Sequence, residues 1–273
     1  MTEELQVPAG VDPTVPAPAR MYDYFLGGHN NFLADRDVAD QVREMIPEVI
    51  DAAWANRGFH QRAARWLAER GIRQFIDIGS GLPTVGNTHD VVQDVAPDAR
   101  VVYVDHDPMV LAYSGQLLAG NPHATVVFAD LRDPASVLGN PDLKALIDFA
   151  EPVGLMMTAV THFVAPSADP WGLVARYVQV LASGSYLVLS QVTNDKTPPR
   201  SVRVAEEMYA KGTEQIYFRN KADIERFFDG LDMVSPDGTA AGVVHVGEWG
   251  ADDPDLADSD GSRWLYCGVA RCP

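Results

Sequence analysis

Three acidic residues, each closing an apolar run, carry the first chemical signal in this sequence. Asp77 stands in Asp77-Ile78-Gly79-Ser80-Gly81, at the end of the run Gln74–Ile78 and before a helical pattern. Glycines in such a turn let the backbone approach a ligand without a Cβ in the way. Asp105 lies in Tyr103-Val104-Asp105-His106-Asp107, and Asp130 in Phe128-Ala129-Asp130-Leu131-Arg132. A carboxylate ending the second strand can accept from both ribose hydroxyls, at roughly 1.5–3 kcal/mol for each buried charge-assisted bond. Asp107, followed by Pro108, can instead cap the next helix, so Asp105 and Asp107 divide the two tasks. Asp130 can accept from an adenine amine, or act with Asp133 as a turn and capping residue before Pro134.

The glycine turn departs from the dinucleotide fingerprint. G-x-G-x-x-G needs a glycine at position 84, which is Thr84, and Gly86 comes two residues late. Asp77, two residues before the first glycine, repels a pyrophosphate but attracts the ammonium of an amino-acid tail. Charge thus favours an adenosyl amino acid over a nicotinamide dinucleotide. No metal site is expected: the 7 histidines show no HxxxH or HExxH spacing, and Cys267 and Cys272 are too few for zinc. Those two thiols belong in or beside a late strand.

These turns need strands and helices to hold them. A short helix from Met21 to about Leu26, stopped by Gly27 and Gly28, is expected first. A second follows over 35–45 and a third over 48–70, the last interrupted at Asn56–Gly58. Strands at 74–78, 101–104, 125–128, 153–159 and 186–189 then alternate with helices at 85–95, 108–118, 134–138, 142–149 and 170–181. Short apolar strands separated by helices predict a mostly parallel α/β sheet, doubly wound and covered on both faces. Helices at 202–209 and 221–228 lead to a weak strand at Met233, a Gly- and Asp-rich stretch with a strand at 243–246, and a last strand at 263–270.

Together Asp77-x-Gly79-x-Gly81, Asp105 and Asp130 resemble the class I S-adenosylmethionine-dependent methyltransferases, from about Gln74 to Pro273. The longer strings MYDYFLGGHNNFLADR, RQFIDIGSGLPTVGNTHDV and VVYVDHDP resemble an actinobacterial family of uncharacterised methyltransferase-like proteins over nearly the whole chain. The resemblance implies a Rossmann-like, seven-stranded mixed sheet with an antiparallel last strand (RWLYCGVARC), an N-terminal helical layer, and S-adenosylmethionine as cofactor. It implies no acceptor. By position it places Asp77, Gly79, Ser80 and Gly81 at the methionine end, Asp105 at the ribose, and His106 beside the adenine. Asp130 and Leu131 would flank the base, and Thr158 would lie under the sulfonium.

Tyr22, Gly28 and Asn31 are lid candidates, because an aromatic face attracts a sulfonium by about 1–2 kcal/mol once water is excluded. Plain aromatic packing with a Gly-Gly turn explains the same string. Arg62, on the helix facing the lid, is the candidate for the methionine carboxylate. Methyl transfer needs mainly alignment, with a base if the acceptor is a hydroxyl. His162 is placed for that role, although it can also be ordinary polar lining, and Gln191, Thr193 and Asn194 could touch the acceptor.

The organisation expected is a flexible arm over 1–20, a helical lid over 21–71 and an S-adenosylmethionine-binding domain over 72–273. The net charge of −17 disfavours nucleic acid, whose phosphates dominate affinity. No apolar stretch reaches the roughly 20 residues that span a bilayer, and the N-terminus lacks a signal-peptide pattern, so the cytoplasm is expected. The functional expectation is an S-adenosylmethionine-dependent methyltransferase acting on a small-molecule acceptor. A non-catalytic sensor of S-adenosylmethionine or S-adenosylhomocysteine is the alternative, and an NAD-dependent oxidoreductase the less favoured one. Oligomeric state is not legible.

Overall fold

The computed structural model describes residues 7–195, 197–236, 241–252 and 259–273. The N-terminal layer comprises α1 (Pro18–Phe25), α2 (Leu33–Met45) and α3 (Val49–Glu69). Then come β1 (Gln74–Ile78), α4 (Thr88–Val95), β2 (Arg100–Asp105), α5 (Pro108–Leu117) and β3 (Ala124–Phe128). They are followed by α6 (Pro134–Gly139), α7 (Pro141–Leu146), β4 (Gly154–Thr158), α8 (Pro170–Val178) and β5 (Tyr186–Val192). The chain ends with α9 (Pro199–Tyr209), α10 (Lys221–Glu225), β6 (Asp232–Met233), β7 (Val244–His245) and β8 (Leu265–Arg271).

The strand order is β3-β2-β1-β4-β5-β8-β6, parallel from β3 to β5 and antiparallel at β8. Eight strands form the described sheet rather than the seven expected, because β7 pairs with the edge of β8 that β6 also uses. The alternation of side chains along each strand divides the core. Ile76, Ile78, Val102 and Leu155 pack on one face, while Phe75, Tyr103, Met156 and Val188 pack under Phe59 and Leu67 of α3 on the other. Cys267 and Cys272 are buried, unbridged thiols in and just after β8.

One expectation fails here for an identifiable reason. The third helix runs unbroken through Asn56–Gly58. Asn56 is buried there, donating to Tyr22 Oη (2.9 Å) and accepting from Ser190 Oγ (2.5 Å), so tertiary contacts override weak local propensity. The inner end of the arm is held against α2. Arg20 is buried in an ion pair with Asp35 (3.0 Å), and Asp35 also accepts from Ala17 N, which ties the arm to α2. The first six residues of that arm lie outside the described part.

Candidate active site

The carboxyl ends of β1, β2 and β4 open into a cavity of about 490 Å³ roofed by the N-terminal layer. This is the crevice where doubly wound sheets bind ligands, beside the point at which strand order reverses. Gly79 and Gly81 hold φ of +68° and +65°, values that side chains with a Cβ rarely adopt. The turn they make is pinned to β2, since Gly79 N and Ser80 N both donate to Val104 O (2.8 and 3.3 Å). A Cβ on Gly81 would point into open space, and Ser80 Oγ is buried at the cavity wall with no protein partner. An orphaned polar atom and an open glycine cradle fit a ligand lying along this turn.

Asp105 lines the same cavity, and each of its oxygens has one backbone donor: Gly81 N (2.9 Å) on Oδ2 and Asp107 N (2.9 Å) on Oδ1. A carboxylate offers about four acceptor sites, so two remain for a ligand. Burial pushes its pKa up, against the lowering effect of those N–H donors. Asp107 caps α5 through Met109 N (2.8 Å) and lines the cavity beside Asp105.

Asp77 sits in a chain of short hydrogen bonds. Thr88 Oγ1 donates to its Oδ2 (2.6 Å), and His60 Nε2 is 2.8 Å from the same hydroxyl. On the other side of the ring, His60 Nδ1 is 2.9 Å from Thr158 Oγ1. Asp77, His60 and Thr158 all line the cavity. Burial raises the Asp77 pKa to about 6, against the lowering effects of Thr88 and Arg57. Burial, with Arg57 nearby, drops His60 to about 3, so the imidazole is neutral. His162 also lines the cavity and is likewise held near 3, by burial first and then by Arg219. Its Nδ1 is buried without a partner.

Tyr22, His106 and Leu131 reach the cavity as well. Tyr22 Oη donates to Ala53 O (3.0 Å). His106 Nε2 meets Glu214 Oε1 at 3.0 Å, and this hydrogen bond raises its pKa.

The structure moves four predicted ligand residues away from the cavity wall. Arg62 donates to Trp249 O (2.9 Å) and Val246 O (2.7 Å), binding α3 to the C-terminal segment. Gly28 and Asn31 instead build the turn around Asp23. Asn31 Nδ2 donates to Asp23 Oδ2 (2.8 Å), and a Cβ on Gly28 would sit 2.1 Å from Asp23 Oδ1. Asp130 is taken up by Arg132, with Nη2 to Oδ2 at 2.7 Å, and it is Arg132 and Leu131 that face the cavity. Of the residues after β5, Gln191 accepts from Thr161 Oγ1 and Arg219, while Thr193 and Asn194 turn into local loop bonds; the lining residue there is Val192.

Other contributors carried little or no sequence signal. Arg57, on α3, reaches the cavity with only two long bonds, to Val85 O (3.2 Å) and Asn87 Oδ1 (3.3 Å). Glu214, in the loop after α9, reaches across to His106 and Arg132. His60 lies on a face that looks like ordinary helix packing until β4 supplies Thr158. Only Glu214 offered even a weak cue, as an acid in a polar loop. No group of three or more metal-ligating side chains occurs among the described residues, and no helix there is long and apolar enough to cross a membrane.

A sheet ordered 3-2-1-4-5 and closed by an antiparallel strand, with a glycine turn after β1 and a carboxylate ending β2, is the fold of the class I S-adenosylmethionine-dependent methyltransferases. The chain belongs to the S-adenosyl methyltransferase family, whose pattern matches residues 4–273. Among solved structures it is similar to a DUF574 family protein from Streptomyces avermitilis MA-4680, at 41% identity and TM-score 0.88, covering 96% of this chain and 99% of that one. It is also similar to a candidate methyltransferase from Thermobifida fusca YX, at 40% identity and TM-score 0.90, covering 98% and 99%. The fold extends to the N-methyltransferase NodS from Bradyrhizobium japonicum WM9, solved with S-adenosyl-L-homocysteine, at 14% identity and TM-score 0.50, covering 85% and 98%. No curated protein matches.

Proposed function

We propose that this methyltransferase acts on a small, largely apolar acceptor held under the N-terminal helices. One observation carries the proposal: the cavity joins the polar rim at Gly79–Gly81 and Asp105 to an apolar chamber. Phe25, Val42, Ile46, Ala53 and Ala205 form one packed cluster there, with Phe218 beside it, and all six line the cavity. A charged acceptor would lose its hydration in that chamber without a partner. S-adenosylmethionine supplies a methyl group already activated on a sulfonium, so the protein's task is to bind, orient and exclude water.

In this reading Asp105 takes the ribose hydroxyls and Ser80 with the Gly79–Gly81 turn holds the methionine end. Arg57 replaces Arg62 as the partner of the methionine carboxylate, since it pairs with no carboxylate among the described residues. Asp77 Oδ1 accepts no hydrogen bond from a described residue and suits the ammonium. His106 and Leu131 bracket the base, and Tyr22 and Thr158 lie towards the transferred methyl. A histidine with pKa near 3 is a feeble base, so His162 orients the acceptor through its free Nδ1 rather than deprotonating it. The test is calorimetry with S-adenosylhomocysteine, followed by a screen of apolar hydroxyl and amine compounds with labelled methyl donor. Binding plus transfer into that pool is expected. Binding without transfer to any acceptor would favour a sensor, and tighter binding of NAD than of S-adenosylhomocysteine would overturn the assignment.

A further inference from the structure

We propose that Thr158, His60, Thr88 and Asp77 form a proton relay, which takes a proton from the methyl acceptor at the cavity wall and delivers it to Asp77. The relay rests on the methyl-transfer reading for its use, but its existence is a property of four side chains and three contacts of 2.9, 2.8 and 2.6 Å. The donor order is fixed by chemistry. An ionised carboxylate only accepts, so Thr88 must spend its hydrogen on Asp77 and receive from His60. His60 therefore carries its proton on Nε2, and its bare Nδ1 accepts from Thr158. Thr158 is left with oxygen lone pairs and no hydrogen to offer, and it lines the cavity. It is a proton acceptor aimed at the site.

When the acceptor's X–H bond breaks, its electron pair stays on X, which becomes free to take the methyl. Thr158 gains that hydrogen and gives its own to His60 Nδ1. His60 gives up the hydrogen on Nε2 to Thr88, and Thr88 gives its own to Asp77 Oδ2. One X–H bond has broken and one carboxylic O–H has formed; each intermediate group is again neutral, with His60 in its other tautomer. Both ends suit the task. Asp77 takes the proton on Oδ2 and leaves Oδ1 to the ammonium; burial raises its pKa to about 6 before that cation arrives and offsets the lowering the cation brings, and His60, held near 3, resists becoming an imidazolium that would trap the proton midway. The groups facing this chain are Arg57 on α3, Asp105 and Tyr103 on β2, and His89 and Asp90 on α4 behind Tyr103: Arg57 favours ionised Asp77, Asp105 opposes it, and Tyr103 bonds to Thr88 while accepting from His89 N.

The deciding experiment is NMR of the full chain, with ¹⁵N-labelled histidine and ¹³C-carboxyl aspartate, titrated from pH 8 to 4.5. The expected result is His60 with its proton on Nε2 at high pH, passing to Nδ1 at the same midpoint as Asp77. Thr88→Val, which cuts the chain outside the cavity lining, should uncouple the two titrations, and Thr88→Ser should keep them coupled. A single His60 tautomer throughout, or an imidazolium appearing at the Asp77 midpoint, would overturn the relay, and the wild-type spectrum alone decides this. S-adenosylhomocysteine calorimetry runs separately. Absence of binding would sink the cofactor reading while the titration stands. With an acceptor from the labelled-donor screen, Thr88→Val should lower kcat by about tenfold or more at unchanged KM for the donor, with Thr88→Ser near wild type. An unchanged kcat would end the relay's part in the reaction.

Discussion

Asp105 has one backbone donor on each oxygen and is almost fully buried, so its remaining acceptor capacity can be spent only towards the cavity. Asp105→Ala should therefore weaken S-adenosylhomocysteine binding more than tenfold, at about 1.5–3 kcal/mol for each lost charge-assisted bond. The cooperative melt should survive, which circular dichroism checks alongside calorimetry; an unchanged Kd would move the ribose elsewhere. Asp105 was legible in the sequence because a strand end fixes where the side chain goes. The same logic placed Asp77, the glycine turn and Thr158 on the cavity wall. It failed for Asp130, since only the fold shows Arg132 two residues on curling back to occupy that carboxylate. It failed for Arg62 because five residues along a helix rotate a side chain by about 140°, enough to change the wall it faces. Arg57, five residues earlier, meets the cavity, while Arg62 meets the carbonyls of Val246 and Trp249. Helical periodicity locates a face, but not what packs against it.

Between elements, the cavity is closed by segments distant in sequence. Thr213 N donates to Pro16 O (3.0 Å), joining the loop after α9 to the N-terminal arm, and Glu214 in the same loop holds both His106 (3.0 Å) and Arg132 (3.0 Å). Burial raises the Glu214 pKa, but the bonds from His106 and Arg132 outweigh it and hold the carboxyl below its usual range. His106 is raised in turn, chiefly by its bond to Glu214. A raised histidine contributes fully below its unfolded value of 6.5 and loses that contribution as pH climbs through the folded value. Amide exchange in the loop over 210–219 should therefore quicken as pH rises past neutrality, beyond the intrinsic increase. Glu214→Gln should quicken it at all pH values and abolish the extra dependence, and a variant with the wild-type profile would show that the clasp is ornamental. The secondary structure of this region was legible from apolar periodicity, but its closure over the site was not. Backbone bonds such as Thr213 N to Pro16 O and Tyr217 N to His162 O, with one carboxylate, make the contact, and none of them leaves a pattern in the chain.

For the whole molecule, two effects of acid compete. The net charge of −17 means that protonating surface carboxylates relieves repulsion, which alone would make the protein more stable as pH falls. Against this, His60 and His162 are buried neutral, each with a pKa near 3 instead of 6.5. A depressed histidine contributes in full above 6.5, and that contribution drains away as pH falls towards 3, because the unfolded chain takes up the proton and the folded one refuses it. Asp77 works in the opposite direction over a narrower range, since its folded pKa of about 6 lies above 3.8 and the folded state gains from its proton between those values. Magnitudes decide the outcome. Surface repulsion is screened within about 8 Å at physiological salt, whereas each pKa unit on a buried group is about 1.4 kcal/mol. Asp105 and His106, also raised, act on the side of Asp77, and His89, lowered by burial, acts with the two histidines, whose shifts of several units are the largest of the set. Stability should thus decline below pH 6.5 at 0.15 M salt, with net proton uptake on unfolding near pH 5. Urea denaturation at pH 8, 6.5, 5 and 4 measures that slope. His162→Gln should flatten it by about one proton, and a protein that grows more stable from pH 6.5 to 5 would mean that surface charge, not the buried imidazoles, governs its response to acid.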